Sequence, residues 1–279
     1  MKAVYMLMHQ KKPNTQELVS RVFTAFSKAG IQIGAEQWLR ELPDACDKGW
    51  FVERNPEECD AVIAVGGDGT LLRANALAMR FGLPVFGINV GRVGFLTEIE
   101  MDELESACAK LATDEYVIEE RMMLEAQLGA QKAIALNDIV ISRGGYSRLI
   151  ALDATVNNEL IGHFIADGLI ISTPTGSTGY SLSAGGPLVY PELECMLITP
   201  VCAHSLQHRP VVTSARQTIA VSLEPKRSAS ISVDGQEPFS LNGGQKLLIR
   251  RAEQNAKFVR LETGSFFEKI RIKLAEWSC

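Results

Sequence analysis

The densest chemistry in the sequence lies in Gly66-Gly67-Asp68-Gly69-Thr70. A carboxylate carried on a loop of glycines can take a proton from a hydroxyl that comes within hydrogen-bond reach. Bare glycine backbone and the free N–H groups of a helix start can hold a phosphate beside it. The flanking residues say how such a loop is presented. Asp60-Ala61-Val62-Ile63-Ala64-Val65 leads in as a short Val/Ile-rich run, suited to a strand buried on both faces of a parallel sheet. Leu71 to Met79 leads out with a helical pattern. Asp68 is therefore expected on a tight turn at the carboxyl end of a strand, where open α/β sheets place their ligands. The competing reading, a plain Gly-rich turn, is an unusual use for a buried strand that feeds an acid-bearing loop.

Three further stretches carry polar groups in unusual company. Asp167 leads through an apolar segment into Thr173-Pro174-Thr175-Gly176-Ser177-Thr178-Gly179-Tyr180-Ser181-Leu182-Ser183, a turn crowded with hydroxyls and glycines. Such groups can bond base edges, ribose and phosphate, and a tyrosine ring can stack on a base or fill core. Taken alone, the run is equally compatible with a Ser/Thr/Gly surface loop. Asn137-Asp138 interrupts the apolar stretch Ala133 to Ile141, and neighbours in a strand point to opposite faces. Buried polar groups need partners. A ribose diol is one candidate for this amide and carboxylate, and a network internal to the protein is the other. Val233-Asp234-Gly235-Gln236 reads as a strand running into a tight turn.

The elements that must position these groups change character along the chain. Over the first hundred residues strands alternate with helices, which predicts a parallel α/β sheet. Ala3 to Met8 and Ile31 to Ile33 read as strands. Between them Leu18, Val19, Val22, Phe23 and Phe26 share one helical face, opened by a capping-box-like Asn14 and Glu17 and closed at Gly30. Leu83 to Asn89 is another strand, and a second glycine loop, Asn89 to Thr97, follows it. Met101 to Thr113 is amphipathic, with Leu104, Ala107, Cys108 and Leu111 on one side.

Beyond this helix the pattern is β: Tyr116 to Leu128, Ala133 to Ser142, Leu149 to Val156, Leu160 to Ser172, Gln217 to Leu223, Ala229 to Val233, Gln245 to Arg250 and Lys257 to Leu261. Asn157-Asn158 is a hairpin turn signal. The tail returns to helix, with Ser265 and Glu268 as a second capping box and Phe266, Phe267, Ile270, Leu274 and Trp277 along one face. The expected architecture is an α/β N-terminal domain over residues 1–100, completed by the C-terminal helix 264–279. A β-rich domain over 101–263, an antiparallel sandwich, accompanies it, with the active site in the cleft between them.

The totals exclude several function classes. The chain has 279 residues, 46% of them hydrophobic and 22% charged, an ordinary composition for a folded soluble protein. A net charge of −5 disfavours a general nucleic-acid or anionic-membrane surface. No apolar run reaches the length of a membrane span, and Met1 to Tyr5 leads into a strand instead of a signal peptide. Six scattered cysteines without a Cys-x-x-Cys pair read as reduced thiols, which predicts a cytoplasmic protein. His204 and His208 lack a helical metal-ligand spacing, so no protein metal site is expected.

Taken together and in this order, the stretches resemble the NAD kinase family, within the wider diacylglycerol-kinase-like group. The resemblance rests on Gly66 to Thr70, Asn89 to Phe95, Asn137-Asp138, Asp167 to Pro187, His204-Ser205-Leu206 with Arg209-Pro210, and Val233 to Gln236. The glycine-aspartate loop alone indicates only a kinase superfamily, and the Asp167 to Pro187 run narrows it. The resemblance implies transfer of the γ-phosphate of ATP, with Mg²⁺, to the 2′-hydroxyl of the adenosine ribose of NAD. Polyphosphate is an alternative donor.

On this resemblance Asp68 is the proton acceptor. Gly66, Gly67, Gly69, Thr70 and Arg73 serve the phosphates, and Asn137 and Asp138 the ribose hydroxyls. Thr178, Gly179, Tyr180, Ser181, Leu182 and Ser183 surround the adenine, with Phe95 packed near it. Asp167 lies at the nicotinamide end, and Arg148 and Gln236 make further ligand contacts. The family implies a homodimer or homotetramer. Three departures stand out: Asp138 where the family usually has Glu, Gly179 where Ala is common, and Ile165 where many members carry a basic residue. A lipid kinase of the related superfamily and a non-catalytic NAD(P)-binding regulator are the competing readings. The first lacks a basic amphipathic helix for a membrane surface, and the second leaves Asp68 without a task.

Overall fold

The computed structural model describes residues 1–9, 14–91, 94–144, 149–204, 208–261 and 266–277. In chain order the first elements are β1 (Ala3–Met8), α1 (Thr15–Lys28), β2 (Gln32–Ala35), α2 (Gln37–Arg40), α3 (Pro43–Lys48), β3 (Ala61–Gly66), α4 (Asp68–Phe81), β4 (Val85–Asn89), β5 (Ile99–Glu100), α5 (Leu104–Ala112) and β6 (Val117–Arg121). A strand-rich stretch follows: β7 (Leu124–Leu128), β8 (Gln131–Ala135), β9 (Asp138–Arg143), β10 (Ile150–Val156), β11 (Glu159–Ala166) and β12 (Gly168–Ser172). After α6 (Tyr180–Ser183) come β13 (Cys195–Val201), β14 (Val211–Ser214), β15 (Ile219–Leu223), β16 (Ser228–Val233), β17 (Phe239–Asn242) and β18 (Lys246–Arg251). The chain ends with β19 (Ala256–Arg260) and α7 (Phe266–Trp277).

Two compact units divide the chain: Met1–Glu120 with Ala256–Cys279, and Arg121–Asn255. In the first, the sheet runs β2-β1-β3-β4-β19-β6, with β5 added on β4. Its β1, β2, β3, β4 and β19 pair in parallel. All six residues of β3 are buried, which accounts for its unbroken apolar run. Val19, Val22 and Phe26 of α1 and Leu104, Cys108 and Leu111 of α5 share one core with Met6, Ile63, Val65 and Ile88. The dividing lines thus fall after Glu120 and before Ala256, not at residues 100 and 263. The α5 face is buried in the first unit's core, and β19 adds to its sheet through Phe258 opposite Val85. Arg260 is held by Glu98 and Glu119 at the same place.

One expectation about helix ends changes. Asn14 is the N-cap of α1, but it sits at φ 59° and its side chain makes no capping bond, so no capping box forms there. Ser265 lies outside the described residues. The tail helix belongs to the first unit, and Lys269 Nζ donates to the Thr97 carbonyl at 3.0 Å. Phe267, expected on its buried face, is 67% exposed.

The second unit is a sandwich of two six-stranded antiparallel sheets, β11-β10-β15-β18-β7-β8 and β14-β13-β12-β9-β16-β17. Leu152, Val221, Leu247 and Ile249 from one sheet meet Ile139, Ile141, Leu169 and Ile171 from the other in a common core. Asn157 and Asn158 have φ of 48° and 69°, as a two-residue hairpin turn of type I′ requires. Two expected single strands are each two strands in opposite sheets. Ala133 to Ser142 breaks into β8 and β9 at Leu136-Asn137, and Leu160 to Ser172 breaks into β11 and β12 at Asp167. A strand that switches sheets must turn a corner, and here both corners carry predicted site residues. Among the described residues no helix is long and apolar enough to cross a membrane.

Candidate active site

In the first unit the buried strand β3 delivers Gly66 opposite Asn89 of β4, and Gly67 then caps α4. Asp68 is the first residue of that helix, where a negative charge is favoured by the helix dipole. Its carboxylate is not left to swing. Oδ2 accepts the N–H of Phe95 at 2.9 Å, and Oδ1 accepts the N–H of Leu96 at 3.1 Å. One side chain thereby joins the two glycine loops that the sequence places after successive strands, while remaining partly exposed.

Above the helix start there is room. A β-carbon built at Gly67 or Gly69 would meet nothing within 4 Å. Thr70 is buried, and its backbone N–H donates to Gly67 O at 2.9 Å, closing the turn. Arg73 is half-exposed, 3.4 Å from Glu36. Phe95 touches Asp68 through its backbone, a role its side-chain type does not announce. Asn89, fully buried, bonds Glu100 at 2.7 Å through Nδ2 and accepts the Gly91 N–H at 3.2 Å, shaping the second loop.

In the second unit Asn137 sits at the corner between β8 and β9, and Asp138 opens β9. The corner is tied by Asp234, from the turn after β16. Its carboxylate accepts three backbone N–H groups: Leu136 at 2.7 Å, Asn137 at 2.8 Å and Asp138 at 3.1 Å. From the other side Thr173 donates its N–H to Asn137 O at 2.9 Å and its hydroxyl to Leu136 O at 2.6 Å. Asn137 Oδ1 is buried with no hydrogen-bond partner among the described residues. Asp138 is buried too. Burial first, and then the neighbouring Asp234 charge, push its carboxyl up to about 7. Burial also raises Asp234, against the opposing pull of its three N–H donors. Sequence reading gave Asp234 no task; its only local signal was the Val-Asp-Gly-Gln turn.

The hydroxyl-rich run folds over this corner as a short 3₁₀ turn, Thr175–Thr178, followed by α6. Gly176 crosses the Asn137 backbone so closely that a β-carbon there would lie 2.1 Å from the Asn137 oxygen. A β-carbon at Gly179 would stand 3.6 Å from Asn137 Nδ2 and 3.8 Å from Asp138 Oδ2, so Gly179 lies directly over the pair. Tyr180 and Ser183 are exposed, Thr178 and Leu182 half-buried. Thr178 spends its hydroxyl on Thr175 O at 3.1 Å, and Ser181 turns inward to Thr199 at 2.9 Å.

Asp167, at the second corner, pairs with Arg143 at 3.3 Å, and Gln236 is exposed on the Asp234 turn. Ile165 is exposed on β11. Arg148 lies outside the described residues. The structure therefore brings Asp68, Gly66, Gly67, Gly69, Thr70 and Phe95 together in one unit. Asn137, Asp138, Thr178, Gly179 and Gln236 gather around the first corner of the other. Among the described residues no group of three or more His, Cys, Asp or Glu is arranged to hold a metal ion.

Comparison with known proteins adds to this geometry. Residues 4–116 match the model of the ATP-NAD kinase N-terminal domain, and residues 136–261 that of the ATP-NAD kinase C-terminal domain. The chain is 38% identical over 283 residues to the NAD kinase of Desulforamulus reducens, covering 99% of this chain and 98% of the relative. It is 39% identical over 281 residues to that of Moorella thermoacetica, covering 99% and 90%. Among solved structures, yeast NADH kinase complexed with NADH superposes with a TM-score of 0.87 at 25% identity, covering 99% of this chain and 88% of that one. An NAD kinase from Archaeoglobus fulgidus in complex with ATP gives 0.75 at 26%, covering 97% and 99%.

Proposed function

The chain belongs to the NAD kinase family, and from that premise we infer that it transfers the γ-phosphate of ATP to the 2′-hydroxyl of the adenosine ribose of NAD, giving NADP. The observation that carries the reading is Asp68, a carboxylate at the mouth of a glycine loop, fixed by the N–H groups of Phe95 and Leu96.

A ribose hydroxyl is a weak nucleophile. In the proposed step its oxygen attacks the γ-phosphorus, the bond to the β–γ bridging oxygen breaks, and ADP leaves. Asp68 takes the hydroxyl proton. The donor is MgATP, the ion entering with the triphosphate whose oxygens supply most of its ligands. The free N–H groups at the start of α4, with Gly67 and Gly69 leaving space above them, suit its phosphates, and Arg73 adds a positive charge one turn on. Asn137, whose Oδ1 has no partner among the described residues, and Asp138 suit the ribose hydroxyls. Tyr180, exposed at the start of α6, offers a ring to the adenine, beside Thr178, Gly179, Leu182 and Ser183. Ser181 acts one step removed, holding α6 through Thr199. Asp167 serves the nicotinamide end, with Gln236 and Arg148 as further contacts. A homodimer or homotetramer in the cytoplasm completes the proposal; the cysteines Cys59, Cys108, Cys195 and Cys202 are free thiols, as a reducing compartment would keep them.

The test is NADP formation by the purified protein with MgATP and NAD, beside the Asp68→Asn variant. NADP from the wild type and a loss of about 10²–10⁴-fold in the variant is the expected result. Equal rates would remove Asp68 as the proton acceptor. No phosphorylation of NAD or NADH, with ATP or polyphosphate as donor, would overturn the reading in favour of a binding-only regulator.

A further inference from the structure

We propose that Asp234 is a positioning residue for the acceptor ribose: its carboxylate holds the Leu136-Asn137-Asp138 backbone so that the Asn137 and Asp138 side chains are presented to the ribose hydroxyls. The proposal rests on the NAD kinase reading and names a residue that neither touches substrate nor takes part in proton transfer.

The corner needs such a group. Leu136 and Asn137 lie between β8 and β9, so their N–H groups have no place in a strand ladder. Buried backbone donors without partners are costly. Asp234 satisfies both and the Asp138 N–H as well, across 96 to 98 residues of sequence. Hydrogen bonds to a charged acceptor are about twice as strong as neutral ones. The contact is reciprocal, because the Asp234 N–H donates to Asp138 O at 3.0 Å. The turn that aims the carboxylate has φ of 48° at Asp234 and 67° at Gly235, a left-handed conformation that Asp, Asn and Gly accept.

The Asn137 peptide is thereby gripped on both sides, by Asp234 at Leu136 and Asn137 N–H and by the Thr173 N–H at Asn137 O. What the grip leaves free is Asn137 Oδ1, buried and without a hydrogen-bond partner among the described residues. A buried acceptor kept unsatisfied by a doubly clamped backbone is a group held ready for a donor that arrives with the ligand. A carboxylate is suited to the task because Oδ1 and Oδ2 both accept. An amide at this position accepts through one atom only, and its NH₂ would face a backbone N–H.

The experiment is steady-state kinetics of Asp234→Asn against wild type, varying NAD and MgATP separately. Asn keeps the shape and the left-handed turn, so the change is confined to the acceptors. The expected result is a KM for NAD raised about tenfold, with the KM for MgATP within about twofold of wild type, from the loss of charge-assisted bonds at one substrate only. The dissociation constant for NAD alone should rise by the same factor as its KM. A merely structural residue would reduce the amount of active enzyme and leave both KM values in place; that outcome, or an equal rise in both, overturns the proposal. Absence of NADP formation by the wild type would instead fail the functional reading. Should the variant not fold, amide hydrogen exchange on the wild-type protein decides: slow exchange at Leu136 and Asn137, outside any strand ladder, supports the grip, and exchange at the rate of exposed loop amides removes it.

Discussion

Gly94 lies so close to Asp68 that a β-carbon built on it would fall 2.2 Å from the carboxylate Oδ1. The residue is followed at once by the two N–H groups, of Phe95 and Leu96, that hold the same carboxylate. A methyl group at position 94 therefore competes with the bonds that orient Asp68. The other close neighbour would be Thr97 Oγ1 at 2.8 Å, also a side-chain atom. Side chains, not backbone, must yield, so Gly94→Ala should fold with a displaced carboxylate. A misplacement near 1 Å at a reacting group costs about 10²-fold in rate. The expected outcome is a fall of that order in kcat/KM with a melting temperature close to wild type. A large loss of melting temperature would show that position 94 serves the fold more than Asp68.

Gly176 and Gly179 look alike in the sequence and differ in what surrounds them. At Gly176 an added β-carbon would sit 2.1 Å from the Asn137 oxygen and 2.5 Å from its carbonyl carbon, in a backbone already fixed by Thr173. At Gly179 the nearest atom would be Gly176 O at 3.4 Å, an ordinary contact. Gly176→Ala should lose about 1–3 kcal/mol of stability through overpacking. Gly179→Ala should stay within about 0.5 kcal/mol of wild type, since it adds a methyl where there is space. Denaturant unfolding of the two variants checks the contrast, and equal losses would refute it.

The difference between these glycines also marks how far the sequence can be read. The β3–Asp68–α4 stretch was legible because everything that defines it is local: a fully buried strand, a turn and a helix start within about twenty residues. The corners were not. Apolar residues continue on both sides of Asn137-Asp138 and of Asp167, because a strand leaving one sheet of a sandwich and entering the other faces the same core. The turn that carries Asp234 was legible but its task was not, since its three partners are nearly a hundred residues away and all are backbone groups, which carry no sequence signal. Asn14 shows the reverse case. Its spacing to Glu17 fits a capping box, but the chain enters α1 with Asn14 at φ 59° and the side chain unbonded.

Asp138 supplies a pH dependence whose sign follows from its surroundings. Its carboxyl, ordinarily near 3.8, is held up to about 7 in the folded protein, first by burial and then by the Asp234 charge. Between those values the folded state binds the proton and the unfolded state does not. Stability from this group is therefore fully present below about pH 4 and is lost as pH rises through about 7. The shift corresponds to a few kcal/mol at most, about 1.4 kcal/mol for each pH unit between the two values. Burial raises Asp234 as well, so it contributes with the same sign and part of the slope remains when Asp138 is neutralised. In the absence of ligands, the wild-type melting temperature should fall from pH 5 to pH 8. Asp138→Asn, which cannot ionise, should show a shallower fall and melt above wild type at pH 8. Thermal unfolding of both proteins across that range is the measurement, and parallel curves would mean that Asp138 stays ionised throughout and that its burial is relieved by contacts other than those seen here.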